Sequence, residues 1–244
     1  MLYPTLKILS WNILASEWIE PLYFPTVRRD ILYNRTKRFK RILKILKKNN
    51  PDIILLQEVM NLEHEYLIKH FYKKYDISFV NPIKWSYGKK SESGNVTLLR
   101  KNKIKDIVHT PLSFGIRTEC SYNAAPLDIL NIHLDDVSSK KRVSQVKTLK
   151  PLKKNCIVAG DFNQHYNYNN NKNKLYKIFN KFSIHNKRCP TYYNKKMNID
   201  NILSRGFNIF ESGECAVYPE TIEEGLLHYG SDHLPVYTII KDKR

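Results

Sequence analysis

No two of the chain's cysteines lie close enough in sequence to suggest a metal-binding or redox pair. The four, Cys120, Cys156, Cys189 and Cys215, contain no C-x-x-C, which argues against a secreted disulfide framework and fits reduced thiols inside a cell. Long apolar runs are also missing. None approaches the roughly 20 residues of a bilayer span, and residues 1–15 lack the basic start and unbroken apolar segment of a secretory signal. The expectation is an intracellular chain with no signal peptide and no membrane span. No phosphate-binding P-loop, G-x-G-x-x-G, zinc-finger spacing or nucleophilic serine elbow is present. Acids are scarce, with 23 Asp and Glu against 41 Lys and Arg, a net charge of +18. That excess fits a polyanionic partner, nucleic acid first and an anionic membrane second. AT-rich coding gives the same excess, since Lys, Asn, Ile and Tyr are all plentiful. Repeats and linkers are absent too. A length of 244 residues suits one large domain over 1–244 with a real core, expected to be monomeric.

What is present is organised around residues 157–164. Ile157, Val158 and Ala159 read as a buried strand, and Gly160 lets the backbone turn and approach a neighbour closely. Asp161 and Asn163 follow at i and i+2, which in extended chain puts both side chains on one side. A carboxylate and an amide so placed suit holding and activating a water beside a phosphate and a hard cation. Asp-x-Asn after Gly is also ordinary turn chemistry.

Other strands end in similar groups. Residues 6–12 form a first strand closing on Asn12, whose commoner role is a turn cap. Phe39, Ile42, Leu43 and Leu46 mark a helix over 35–48 whose charged residues are all basic, ended by Asn49, Asn50 and Pro51. This helix follows the segment after Asn12, so its exposed face could flank a site there; its lysines could equally be a solvated face. Residues 52–58 are an almost continuous apolar strand ending in the carboxylate of Glu58. A helix over 62–74 and a strand over 76–80 come next, then a polar loop over 85–94. The spacing then predicts strands at 96–99 and 104–108, paired around a Lys-Asn-Lys turn. Residues 127–133 alternate toward His133, and a helix with Val143, Val146 and Leu149 follows. Residues 165–174 are low-complexity loop. Asp200 sits in a short apolar strand, and Asp232 and His233 precede a last strand. Oxygen ligands of this kind suit Mg²⁺ or Mn²⁺.

Six segments, LKILSWNIL (6–14), DIILLQEV (52–59), NIHLDD (131–136), GDFNQ (160–164), NIDNIL (198–203) and YGSDHLPV (229–236), together resemble the endonuclease/exonuclease/phosphatase superfamily, in that family's order. The resemblance implies an α/β fold: a four-layered sandwich of two mixed β-sheets packed face to face with helices outside. It implies Glu58 as the principal metal carboxylate, with Asn12 and Asp232 in the metal shell. By the same resemblance Asp161 orients or deprotonates the attacking water, and Asn163 holds the water or the phosphate. His133 and His233 bind non-bridging oxygens, and Asp200 bonds His233. The implied chemistry is metal-dependent, in-line hydrolysis of a phosphodiester in single-stranded RNA or DNA, at a 3′ end or an adduct. Within the superfamily the chain is similar to the deadenylase, nocturnin and Angel branch and to the tyrosyl-DNA phosphodiesterase branch. Inositol phosphate, phospholipid, or nucleic-acid binding without catalysis are the alternatives. Arg142 and Gln145 are expected to support strand-end loops, Trp11 and Phe162 to pack beside the site. His64, His70, His109, His165, His185 and His228 are expected in ordinary surface or loop positions.

Overall fold

The run from Ile53 to Leu56 explains the layering. Ile53 and Leu55 enter one core together with Ile129, Ile157 and Ala159, whereas Ile54 and Leu56 enter another with Phe39, Ile42, Leu43, Leu46, Leu67 and Phe71. A strand with period two that is apolar at every position must be covered on both faces. Residues 156–159 behave alike, with Ile157 and Ala159 inward and Cys156 and Val158 outward against Val146, Leu175, Tyr176 and Phe179. Two sheets therefore share an inner core, and each carries helices outside.

The computed structural model describes residues 4–81, 91–149, 151–165, 174–186, 190–192, 196–213 and 218–243, and the backbone alone at 85–86 and 89–90. Cys189, Cys215 and most of the polar loop at 165–174 lie outside the described residues. The chain enters the first sheet with β1 (Thr5–Asn12), β2 (Ile53–Val59) and β3 (Tyr75–Val80). A short ribbon of β4 (Trp85–Ser86) and β5 (Lys89–Lys90) leads to β6 (Gly94–Arg100). The second sheet takes β7 (Ile104–Leu112), β8 (Gly115–Tyr122), β9 (Ala125–His133), β10 (Asn155–Asp161), β11 (Ser183–Ile184) and β12 (Asp200–Arg205). The chain then returns to the first sheet with β13 (Phe207–Gly213) and β14 (Val236–Asp242). The strand orders are β13-β14-β1-β2-β6-β3 and β11-β12-β10-β9-β8-β7. One parallel pair lies inside each sheet, β1 with β2 and β9 with β10, and the other pairings are antiparallel. This is the four-layered α/β sandwich.

Helices α1 (Arg29–Leu32) and α2 (Arg35–Asn49) make the β1–β2 crossover, and α3 (Asn61–Phe71) follows β2. Helix α4 (Ser139–Lys147) makes the β9–β10 crossover, with α5 (Lys174–Ile178) after it and α6 (Ile222–His228) before β14. Helix α2 starts where the Asn34 side chain accepts from Lys37 N, and it ends at Asn50, which has a left-handed φ of 45°. No helix among the described residues is long and apolar enough to cross a membrane.

The strands at 96–99 and 104–108 exist but do not pair. The first belongs to β6, bonded to β2 and β3, and the second to β7, bonded to β8. The Lys-Asn-Lys turn carries the chain from one sheet to the other, because β6 already has a partner on each side. His185 is likewise no surface residue. It is 7 % exposed, with Nδ1 2.8 Å from Thr238 Oγ1 in β14 and Nε2 2.8 Å from Ser204 Oγ in β12.

Asn131 clips the sheets together. Its Nδ2 donates to Leu56 O at 3.1 Å and Val96 O at 2.8 Å, and its Oδ1 accepts from Gln57 Nε2 at 2.8 Å and Asn95 Nδ2 at 3.0 Å. All three side chains are buried. Asn131→Leu removes the acceptor that Gln57 and Asn95 share and the donor that Leu56 O and Val96 O share. Gln57 Nε2 keeps Leu55 O at 3.1 Å, and each buried group left unsatisfied costs ~1–3 kcal/mol. Chemical denaturation should show a loss of about 3 kcal/mol or more. A loss within ~0.5 kcal/mol, the range of ordinary surface substitutions, would refute the clip.

Candidate active site

In a parallel pair both carboxyl ends lie at the same edge. Asn12 closes β1, Glu58 lies near the end of β2, His133 closes β9 and Asp161 closes β10. Asp200 opens β12 and is paired directly with Asp161 in the antiparallel ladder. Asp232 and His233 precede β14, which runs antiparallel to β1. The topology thus brings polar groups from six strands to one end of the sandwich.

Strict alternation would send Glu58 outward, after Ile54 and Leu56. A bulge between Leu56 and Val59 and a left-handed φ of 58° at Glu58 change that direction. Glu58 Oε1 accepts from Asn12 Nδ2 at 2.8 Å and Oε2 from Ala15 N at 2.9 Å. The same Asn12 nitrogen reaches Asp161 Oδ2 at 3.1 Å, so one amide joins carboxylates from the two sheets. Asp161 Oδ2 also lies 3.8 Å from His133 Nε2 and 4.0 Å from His233 Nε2. His233 Nδ1 is 2.8 Å from Asp200 Oδ2. Gly160, with φ of 143°, passes so close to β9 that an added Cβ would stand 1.8 Å from Ile132 O.

Asn163 departs from the extended geometry read in the sequence. With φ of 47° it turns, its N donates to Asp161 Oδ1 at 2.7 Å, and its Nδ2 donates to Leu134 O at 3.0 Å. The turn fixes Asp161 and leaves Oδ2 as the oxygen facing both histidines. Arg142 Nη1 donates to Asp135 O at 2.8 Å and Gln145 Oε1 accepts from Asp135 N at 3.0 Å, so both hold the loop after His133. Trp11 packs in the outer core of the first sheet and its Nε1 donates to His233 O at 2.9 Å.

Some supports left no readable mark in the sequence. Ser231 Oγ donates to Asn12 O at 2.7 Å and accepts from His233 N at 3.1 Å. Tyr192 lies against the His233 ring with centroids 4.9 Å apart. Arg38, 3 % exposed, donates to Leu14 O at 3.2 Å and Gly230 O at 2.9 Å. The contacts place the start of α2 beside the site, and the helix then runs back toward the opposite end, where Asp52 opens the way into β2. Lys44, Lys47 and Lys48 are therefore remote from the site mouth, contrary to the whole helix flanking it.

The electrostatics are those of an acid-rich cavity. Burial, and then the charge of Asp232, raise Glu58; burial raises Asp232. Burial and the neighbouring Asp200 push Asp161 up to about 7. Burial alone would lower His233, but the charge and hydrogen bond of Asp200 outweigh it and hold His233 well above 6.5. Asp232 Oδ1 is buried without a hydrogen-bond partner. Hard oxygen donors, raised carboxyls and an orphaned carboxylate oxygen are together what a divalent cation would satisfy, so the residues fit Mg²⁺ or Mn²⁺. Asp161, Asp200 and His233 also offer ligand atoms within 4.8 Å of one another. There, however, His233 Nδ1 and Asp200 Oδ2 already share a proton, which leaves Glu58 and Asp232 the better pair.

The family described as "Endonuclease/Exonuclease/phosphatase family" matches residues 9–233. A zebrafish (D. rerio) TDP2 humanised by 14 mutations is 18 % identical with a TM-score of 0.69, over 97 % of this chain and 99 % of that one. An endonuclease/exonuclease/phosphatase from Bacteroides vulgatus is 18 % identical with a TM-score of 0.71, over 98 % and 100 %. The human Nocturnin catalytic domain is 17 % identical with a TM-score of 0.67, over 99 % and 96 %. Among curated proteins none matches.

Proposed function

The chain belongs to the endonuclease/exonuclease/phosphatase family, and from that premise we propose that it hydrolyses phosphodiester bonds in nucleic acid with the help of Mg²⁺ or Mn²⁺. The observation that carries this reading is the position of Asp161 Oδ2, within 4.0 Å of both histidines and bonded to Asn12. Glu58 and Asp232 would hold the cation, which when bound supplies Lewis-acid stabilisation of the phosphoryl oxygens. Asp161 accepts the proton of the attacking water, a task suited to a carboxyl whose proton affinity lies near neutrality. Asn163, bonded to Asp161 through its backbone N, keeps that carboxylate in one rotamer. His233 is an imidazolium whose Nδ1–H points to Asp200, so Nε2–H donates to the negative charge that develops on the phosphoryl group. His133 supplies a second donor from the other side of Asp161. The net charge of +18 favours a polynucleotide over a small ester, because it concentrates a polyanion near the site.

One substrate panel tests the reading: Mg²⁺-dependent cleavage of single-stranded RNA, poly(A), single-stranded DNA, abasic duplex, 5′-tyrosyl DNA and an inositol phosphate. Cleavage of a polynucleotide supports it. Turnover confined to the inositol phosphate moves the substrate to a small ester, and no turnover of any arm refutes the enzyme.

Asp200→Asn tests the histidine. The raised proton affinity of His233 means that the pair adds stability fully below the ordinary imidazole range and loses it as pH rises through the folded-state value. Without the Asp200 charge, His233 gives up its proton at lower pH. The alkaline limb of the kcat profile should move down in pH, with kcat reduced. An unmoved limb would exclude the imidazolium role.

A further inference from the structure

Beside the site, the carboxylate of Glu17 is held by a turn that has the chemistry of an anion receptor. Ser91 Oγ donates to Glu17 Oε1 at 2.8 Å, Ser93 N donates to the same oxygen at 2.9 Å, and Glu92 N donates to Oε2 at 2.7 Å. Two consecutive backbone N–H groups and a hydroxyl converging on one point are the donor set that also cradles phosphate oxygens. Other contacts brace the turn besides Glu17. Asn81 Nδ2 donates to Glu92 O at 2.9 Å, and Ser93 N also reaches Ser91 Oγ at 3.3 Å. Gly94 fixes the exit, since a Cβ there would stand 2.2 Å from Val80 O. Ser91 and Ser93 are 3 % and 7 % exposed.

Position ties this turn to the reaction. Gly94 is paired with Val59, the residue after Glu58, and Glu17 lies two residues past Ala15, whose N bonds Glu58 Oε2. One partner of the contact thus adjoins the residue paired with Val59, and the other lies two residues from a donor to Glu58. Lys89 and Lys90 precede the turn in sequence.

We propose that the Ser91–Ser93 turn is a second phosphate site, taking a non-reacting phosphate of the polynucleotide, and that Glu17 occupies it as a stand-in in the free protein. The identity of the ligand rests on the phosphodiesterase reading; the anion site does not. Exchange of the carboxylate for a phosphate keeps the N–H and hydroxyl donors satisfied and frees Glu17 to solvent. The competing carboxylate lowers the apparent affinity by the fraction of time it fills the turn.

The test removes the competitor. Metal-free Glu17→Ala and wild-type chains are titrated with inorganic phosphate, reading Tm and the NMR shifts of the Glu92 and Ser93 amides. Glu17→Ala should bind phosphate roughly tenfold more tightly than wild type, with the shifts centred on those amides, and phosphate should return the Tm that the substitution removes. Adding Ser91→Ala should abolish the response. If Glu17→Ala proves too unstable, Glu17→Gln keeps the shape, loses the charge and should show the same direction. Equal affinity in mutant and wild type, or no response at the two amides, overturns the proposal and leaves Glu17 as a brace between loops. A kinetic arm compares a dinucleotide with the same dinucleotide bearing an additional terminal phosphate. Glu17→Ala should lower KM for the second only, and an equal rise in both KM values counts against the site. Should the chain cleave no phosphodiester at all, the phosphate titration still decides the anion site; a chain that cleaves but shows no phosphate response sinks this inference alone.

Discussion

Glu58→Gln should lower kcat/KM by roughly 10³-fold or more, equivalent to at least about 4 kcal/mol of transition-state stabilisation. The substitution keeps the side chain's size, so the effect isolates its charge and its hydrogen-bonding sense. Both oxygens of Glu58 are acceptors, one from Asn12 Nδ2 and one from Ala15 N. Glutamine has one acceptor oxygen, and its NH₂ must then face one of those two donors. The charge that would hold the cation against Asp232 disappears as well. Raising Mg²⁺ or Mn²⁺ should therefore recover little activity. Meanwhile stability without metal should fall only modestly, by the ~1–3 kcal/mol that one buried donor left without an acceptor costs, so the fold survives and the kinetic loss is not a folding defect. Wild-type rates in Glu58→Gln, or in wild type stripped of metal by a chelator, would remove Glu58 and the cation from the reaction.

Asp161→Asn should divide activity from stability. As general base its loss should reduce kcat by about 10²–10⁴-fold. Its effect on the metal-free fold runs the other way. Asp161 is raised to about 7, so the folded state binds this proton more tightly than the unfolded one does. Stability then falls as pH rises from the ordinary carboxylate range to about 7. Above that window the charged carboxylate costs a few kcal/mol, each pH unit of difference being worth ~1.4 kcal/mol. Asp161→Asn lacks that loss. In a chelator, calorimetry should find the variant more stable than wild type at pH 8 and close to it at pH 4.5. Wild-type stability that rises between these two pH values by as much as in the variant would rule out a strained Asp161. The variant's new NH₂ facing Asn12 Nδ2 offsets part of the gain. A site that destabilises its own fold is the usual relation between function and stability.

Much of the sandwich is legible from residue pattern alone, for a physical reason. β2 and β10 are covered on both faces and read as apolar runs, whereas β1 and β9 carry polar residues inside (Lys7, Ser10, Asp128, Asn131) and are read by the alternation of the apolar residues around them. Strand pattern alone puts Asn12, Glu58, His133 and Asp161 at or near strand ends; the roles proposed for them came from the resemblance. β8 resists the same reading because Thr118 is wholly buried among Ile116, Cys120 and Tyr122, and polar side chains blur the alternation. The partners of β6 and β7 are unreadable locally, since sheet membership is decided by neighbours far away in the chain. Backbone turns leave even less trace. Glutamate has no preference for the left-handed φ that Glu58 adopts, and Asn163 bends where extended geometry was expected. The burial of His185 depends on Thr238 and Ser204, distant in sequence and on different sheets.

The position of β14 between β13 and β1 has a consequence for synthesis. Trp11 and His233 touch across 222 residues of chain, so β1 leaves the ribosome long before its antiparallel partner exists. Until β14 emerges, β1 presents an open hydrogen-bonding edge and a half-covered apolar face, the pairing hazard that exposed strands carry. Contacts of such sequence separation also slow the search for the native topology. Asp232 and His233, to which the proposal assigns the cation and the developing charge, arrive with that late strand. A nascent chain truncated before it would have the helices of both crossovers and most of each sheet, yet no working centre, so the nuclease chemistry proposed for this chain would be withheld until its sandwich can close.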